Sequence, residues 1–236
     1  MEIKDSGFFL GVRKYGENSY IVFLLSKNNG LIKSFTKASK KQLQYFMILD
    51  EINFIWKAKH KNNLGFIKIN HEKPSGRHND NFLISLVKAS ASELCLNFLP
   101  LWQKNEEIYD DLKKLLFFSN NNENNILLNY IWWEIYFLKN TGYGLNINRC
   151  VVTGSTKDLF YISPNSGNSV SYQVGKKYNN KLFKIPKCLK SKKIPTNFAD
   201  YSEAFKITTY FFEKNFGYNL KKFIFRTQLI KKIQTL

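Results

Sequence analysis

Hydrophobic and polar residues alternate with a period near two in the first third of the chain and take helical spacing after Asn81, so the chain reads as strands followed by helices. Ser19 to Ser26 (SYIVFLLS) is an apolar run rich in β-formers. Lys27-Asn28-Asn29-Gly30 supplies turn chemistry and Leu31 to Lys37 (LIKSFTK) resumes an extended pattern, which predicts a hairpin. Ile52, Phe54, Trp56 and Ala58 then alternate with Asn53, Lys57 and Lys59, the mark of a strand with one buried face, although Ile55 breaks the polar side. Leu64 to Asn70 offers another strand. Several short strands in about 70 residues favour a small closed barrel, because closure removes the edges a small open sheet would expose.

Leu83, Leu86, Val87, Ser90 and Leu94 keep helical spacing, and Pro100 ends or bends that segment. Glu106 to Phe118 predicts a second helix. The polar stretch Ser119 to Asn125 (SNNNENN) has nothing to bury and is expected to link two helices. Ile126 to Lys139 (ILLNYIWWEIYFLK) is apolar almost all round, as the central helix of a bundle would be, and Thr141-Gly142 closes it in the manner of a glycine cap. Residues 146 to 197 interrupt the pattern with Gly154, Pro164, Gly167, Gly175, Pro186 and Pro195 in a Ser- and Lys-rich stretch, which predicts a loop-rich insertion. Asp200 to Phe216 and Leu220 to Ile233 return to helical spacing. The expected divisions are a barrel over 1–80, a helical domain begun over 81–145 and resumed over 198–236, and an insertion over 146–197. The fold class is therefore α+β and multidomain.

Charge changes the picture most. The 236 residues carry 36 Lys and Arg against 18 Asp and Glu, a formal +18. So basic a chain attracts polyanions and releases their condensed counterions on binding, which puts nucleic acid first and anionic membrane second. Only four of the 36 cations are arginine, and a lysine-biased composition could place them on exposed positions with no role. Their distribution argues otherwise: residues 1–80 carry +7, 81–145 carry −2, 146–200 carry +8 and 201–236 carry +5. A uniform bias would not leave one segment acidic.

Catalytic chemistry is poorly supplied. His60, His71 and His78 sit in polar surroundings outside any metal-binding helix motif, and a surface-loop role suits them. Asp50-Glu51, Glu106-Glu107 and Asp110-Asp111 are neighbours in sequence, whereas nucleases and glycosidases assemble acids from separate elements around a cleft. Neither a GxxxxGKS nor a GxGxxG loop occurs. No enzyme activity is expected. Cys95, Cys150 and Cys188 match neither a disulfide framework nor a metal site, which suits a reducing compartment. Met1 to Gly7 lacks the apolar core of a signal peptide, and Ile126 to Leu138 is too short to span a bilayer and contains Glu134, so a cytoplasmic protein is expected.

Binding chemistry is better supplied. In an extended segment Lys33, Phe35 and Lys37 share a face, with Lys40 and Lys41 close behind and Arg13 and Lys14 on the strand before. Cations for phosphates beside an aromatic that stacks on a base are the parts of a single-strand groove. The pattern alone equally allows Phe35 to face the barrel core while the lysines extend into water. A peripheral membrane protein would use the same lysines, but no basic amphipathic helix is evident, and a metal-dependent nuclease is the remaining alternative.

Gly7-Phe8-Phe9-Leu10 through Arg13-Lys14-Tyr15-Gly16-Glu17-Asn18-Ser19 to Asn29-Gly30 resembles the opening of the RecO family, with its short strand, basic pair, Tyr-Gly-Glu and hairpin. Trp133-Glu134 to Gly154 (WEIYFLKNTGYGLNINRCVVTG) is similar to the family's helix end, Gly-aromatic-Gly-Leu turn and Cys-containing strand, and Leu159 to Ser171 continues the likeness. The resemblance implies an N-terminal oligonucleotide-binding barrel and a helical domain carrying a zinc-ribbon-like insertion. It further implies a DNA repair and recombination mediator, nucleoid-associated, that binds single- and double-stranded DNA and anneals complementary strands. The implied partners are RecR, the acidic C-terminal tail of single-strand-binding protein and, indirectly, RecA. Lys139 or Arg149 is expected to flank the tail. Many family members hold zinc with two Cys-x-x-Cys pairs. Here Cys150 stands at the first position, but Thr153, Ser171 and Val174 stand at the others, so no zinc and no other cofactor is expected, and Cys150 is expected to be buried and structural.

Overall fold

A computed structural model describes residues 1–37, 45–61, 63–70, 81–118, 123–195 and 197–235. They form two compact units, Met1–Asp110 and Asp111–Leu236.

In the first unit, strands β1 (Glu2–Gly16), β2 (Ser19–Ser26), β3 (Gly30–Lys37), β4 (Glu51–Lys57) and β5 (Phe66–Ile69) close into a barrel in the order β1-β2-β3-β5-β4, β4 pairing back on β1. The expected hairpin is β2–β3, paired from Ser26↔Gly30 to Ser19↔Lys37. Asp5 ties its turn down: the carboxylate accepts from the Ser26 hydroxyl, the Asn28 backbone N–H at 3.1 Å and the Asn29 side-chain amide at 3.0 Å. Gly30 is required there, since at φ +72° an added Cβ would lie 1.9 Å from the Gln103 carbonyl oxygen. Inward residues from every strand form one apolar core, with Phe9, Val22, Leu24, Ile32, Ile52, Phe54, Trp56, Ile67 and Ile69 all buried. That burial supplies the main driving force for closure.

β1 departs from the short opening strand that the resemblance implies, because it runs for 15 residues. Its alternation is hidden in the sequence for two reasons. Register shifts interrupt it between Phe9 and Gly11 and again between Lys14 and Gly16. Its middle is also covered on both faces, so Phe8, Phe9 and Leu10 are consecutive and all buried. Phe9 enters the core, while Phe8 stacks on Tyr109 with ring centroids 4.7 Å apart. The Leu10 carbonyl accepts from the Ser92 hydroxyl of helix α1 (Phe82–Phe98) at 2.6 Å. α1 starts at Asn81, whose side chain accepts the Ile84 N–H at 2.9 Å, and it belongs to the barrel's compact unit. The helical sequence over 81–145 is thus divided between the two units, the division falling within α2 (Glu106–Phe118).

In the second unit, α3 (Glu123–Asn140) is the central helix. It begins within the polar stretch expected to be a linker, so Glu123 and its two following asparagines are helical. Its C-terminus closes on Gly142 at φ +94°, where the Tyr143 N–H donates to the Leu138 carbonyl at 2.7 Å. α3 buries most of its surface but leaves Asn129, Trp132 and Tyr136 half-buried along one stripe, and among its enclosed residues is Glu134, paired with Arg226 (Nε to Oε1, 2.8 Å). Arg226 also donates to Thr209, and Thr208 donates to Glu134, so α6 (Ala199–Phe216) and α7 (Ile224–Ile233) are joined to α3 through one buried network. The last predicted helix is interrupted: Leu220–Lys222 is a single 3-10 turn and Phe223 is extended.

The insertion is more regular than its sequence suggests. Strands β6 (Asn146–Cys150), β7 (Leu159–Ile162), β8 (Asn168–Ser171) and β9 (Phe183–Lys184) form a sheet in the order β6-β8-β7-β9, accompanied by the short helices α4 (Tyr172–Gly175) and α5 (Lys187–Ser191). Strands of two to five residues are too short to show a period against frequent Gly and Pro.

Candidate nucleic-acid interface

Alternation along β3 sorts its residues cleanly. Ile32, Ser34 and Thr36 are buried inward, whereas Lys33, Phe35 and Lys37 face outward, the lysines exposed and Phe35 half-buried. Phe35 is therefore not part of the barrel core. Register carries this outer row across the sheet, since Phe35 pairs with Ile21 of β2 and Ile21 with Arg13 of β1. On the other side Phe35 meets Phe66 at the start of β5. Tyr15, beside the second register shift in β1, stands edge-on to Phe35 at 6.1 Å, and Phe66 lies 6.1 Å beyond it. Tyr15 is 71% exposed and Phe66 41%. Three strands thus build an aromatic row on the barrel's outer surface.

Cations surround the row. Arg13, Lys33, Lys37 and Lys68 are exposed, and among the described residues none of them forms an ion pair. Lys57 is instead held by Glu2 at 2.7 Å. Lys14 is exposed too, but its register pairs it with Tyr20, one position off the row that holds Arg13 and Phe35. Lys40 and Lys41 lie outside the described residues. Tyr15 and Phe66 were not among the sequence candidates. A signal existed for Phe66, which alternates with Ile67, Lys68 and Ile69, but only barrel closure brings it beside Phe35.

The second unit presents another aromatic and cationic surface. Trp132 and Tyr136 line a cavity of about 120 Å³ with Asp111, Lys114, Leu115, Asn129 and Trp133. Trp133 Nε1 is buried with no hydrogen-bond partner among the described residues. Lys192 Nζ lies 4.3 Å from the Trp132 ring centroid and donates to the Tyr136 hydroxyl at 2.7 Å. Lys190 Nζ lies 4.5 Å over Phe160, and burial lowers its pKa. Lys139 is exposed at the end of α3 and Arg149 is exposed on β6, and neither lines this cavity.

The residues at the positions where the resemblance implies zinc ligands do not fit a tetrahedral zinc. Cys150 is buried at 1% exposure, its Sγ 3.3 Å from the Ser171 N–H and 3.6 Å from the Ser171 hydroxyl. Burial pushes its thiol pKa up, but hydrogen bonds from Thr153 and Ser171 outweigh that and bring it down to about 6. A single thiolate ringed by hydroxyl and amide donors offers a metal too few ligands. Among the described residues no three His, Cys, Asp or Glu side chains gather at a metal-binding distance. No helix among them is long and apolar enough to cross a membrane.

Two family models match the chain: recombination protein O N terminal over residues 1–70 and recombination protein O C terminal over residues 84–222. The first covers the barrel strands, and the second covers most of the remaining chain. Among similar proteins, the DNA repair protein RecO of Rickettsia bellii (strain OSU 85-389) is 30% identical over 222 residues, covering 93% of this chain and 91% of its own. RecO of Rickettsia typhi is 30% identical over 249 aligned positions, with both chains covered fully. RecO of Wolbachia pipientis wMel is 30% identical over 220 residues, covering 91% of this chain and 92% of its own. With a barrel that wears its cations and aromatics outward and both family models in register with the fold, this chain belongs to the RecO family of DNA repair proteins.

Proposed function

We propose that the chain is a non-catalytic recombination mediator that binds single- and double-stranded DNA and anneals complementary strands. The observation that carries this reading is the outward row Tyr15, Phe35 and Phe66 set among Arg13, Lys33, Lys37 and Lys68. The unpaired cations exchange condensed counterions for phosphates, and the rings stack on bases of an unpaired strand. Lysines of the barrel and of the 176–193 stretch each neutralise one strand, which lowers the repulsion that keeps two strands apart.

In this reading the protein works at the nucleoid with RecR and helps place RecA on strands coated with single-strand-binding protein. The acidic C-terminal tail of that coat protein needs an apolar slot rimmed by cations, and the cavity of Trp132, Trp133 and Tyr136 beside Lys192 suits it in chemistry, with Lys114 at its wall held by Asp111 at 2.9 Å. Lys139 and Arg149 remain candidates for its outer flank. The test is annealing of complementary strands coated with single-strand-binding protein, measured across a salt series. Acceleration over the spontaneous rate that fades with salt is expected. A rate equal to the spontaneous one in dilute buffer defeats the proposal.

A further inference from the structure

Beside the aromatic row lies a cleft of about 420 Å³ lined by Lys33, Asn63, Leu64, Leu101 and Trp102. One wall holds a backbone conformation that bulky residues avoid: Trp102 sits at φ +60°, in the left-handed region. The conformation is held by its own N–H, which donates to the Leu31 carbonyl at 2.9 Å, and by its ring edge against Trp56 at 4.7 Å. The opposite wall is pinned as well, because Trp56 Nε1 donates to the Leu64 carbonyl at 3.3 Å. The result is an indole packed against the barrel core and only partly exposed at the surface, with Leu101 beside it 50% exposed.

We infer that this cleft receives one unstacked nucleobase of a single strand and is what distinguishes single-stranded from duplex DNA. The inference rests on the reading of the barrel as a DNA-binding surface. Trp102 offers a π-face for a base of any sequence. Lys61 Nζ, 5.5 Å from the indole centroid, moves outward to a flanking phosphate as the base takes that face. Asn63 is exposed at the rim and carries both a donor and an acceptor for a base edge. Leu64 and Leu101 give the base an apolar surround. Lys33 belongs to both the cleft and the row, and it stands two positions before Phe35 on the strand, about 6.6 Å away. An extended strand stacked on Phe35 therefore reaches the cleft within about one nucleotide. A base in a duplex is paired and stacked, and entering the cleft would first require flipping it out. Duplex DNA then engages the outer cations alone.

The experiment compares binding of a short oligothymidine and of a duplex of equal length by the full chain and by Trp102→Leu, Trp102→Phe and Asn63→Ala. Trp102→Leu is expected to weaken single-strand binding roughly 5- to 100-fold. Duplex affinity and the salt dependence of both should stay within about twofold of the parent. Trp102→Phe should keep most of the single-strand affinity, and Asn63→Ala should lose about two- to fivefold on the single strand only. Should Trp102→Leu fail to fold, the exposed Asn63→Ala decides the matter, and single-strand binding that ignores it overturns the cleft. Single-strand binding that ignores both Trp102→Leu and Asn63→Ala, or single-strand and duplex affinities that fall together, overturns the cleft while leaving DNA binding intact. A parent chain that binds neither DNA overturns the wider reading with it.

Discussion

In the barrel unit Arg13, Lys14, Lys33 and Lys37 all reach solvent, and none forms an ion pair among the described residues. In the second unit one arginine is enclosed at 1% exposure against Glu134, and Lys190 and Lys192 lie on aromatic rings. The contrast separates two uses of positive charge in one very basic chain. A cation without a protein partner exchanges its counterions for phosphates with little to break. One already resting on a ring must first give up that contact, and one buried in an ion pair holds helices together and never meets DNA. Net charge alone therefore overstates the binding surface.

The largest expected effect breaks the comparison on its structural side. Arg226→Ala leaves Glu134 buried without its partner and should lower stability by about 3–5 kcal/mol, read as an earlier urea midpoint. Replacing both, Glu134→Met with Arg226→Leu, should recover most of that loss, because the desolvation cost of two charges goes with them. If the single and double replacements are equally unstable, the pair does more than compensate its own burial.

Next come the surface cations. Lys33→Ala with Lys37→Ala should reduce the slope of log affinity against log salt by about one per lysine, whereas Lys190→Ala with Lys192→Ala should reduce it less. Equal losses from the two pairs would erase the distinction drawn between free and ring-bound lysines.

The second unit also differs in its cysteines. Burial raises the Cys188 thiol, with Asp200 adding to it, while Cys150 is brought down to about 6 from an ordinary 9.0. Thiolate absorbance should show one cysteine titrating near pH 6, and Cys150→Ala should remove that step. Because the folded value lies below the unfolded one, the unfolded chain holds the extra proton between about pH 6 and 9. Stability from this group is complete above pH 9, declines as pH falls, and is gone below about 6.

The smallest effect belongs to the barrel interior. Ser34 Oγ is buried with no hydrogen-bond partner among the described residues. Ser34→Ala should be neutral or stabilising by at most about 1 kcal/mol, since it removes a desolvated hydroxyl. A clear loss of stability would mean that the hydroxyl is satisfied in solution.

Much of the architecture was legible from periodicity because single elements bury single faces. The β2–β3 hairpin, the strand around Trp56 and the extent of the helix α3 each arise from spacing within one segment, whereas the half-buried stripe of Asn129, Trp132 and Tyr136 on α3 does not show in its nearly continuous apolar sequence. β1 was not legible, since a register shift and a helix on its outer side make Phe8, Phe9 and Leu10 apolar in succession. The candidate site was legible in part. Lys33, Phe35 and Lys37 share a face by strand alternation, but whether that face was inward depended on what the rest of the chain enclosed.

From residue order alone came the succession of strands and helices, the segregation of charge and the family likeness, because each is a property of neighbours along the chain. Only the closed barrel could set Tyr15 and Phe66 on either side of Phe35, and only the packed second unit could enclose Arg226 beside Glu134. Those pairings join residues far apart in sequence. They arise where burying apolar surface fixes one register and one packing, and a side chain's neighbours across such a contact leave no periodic trace in its own segment.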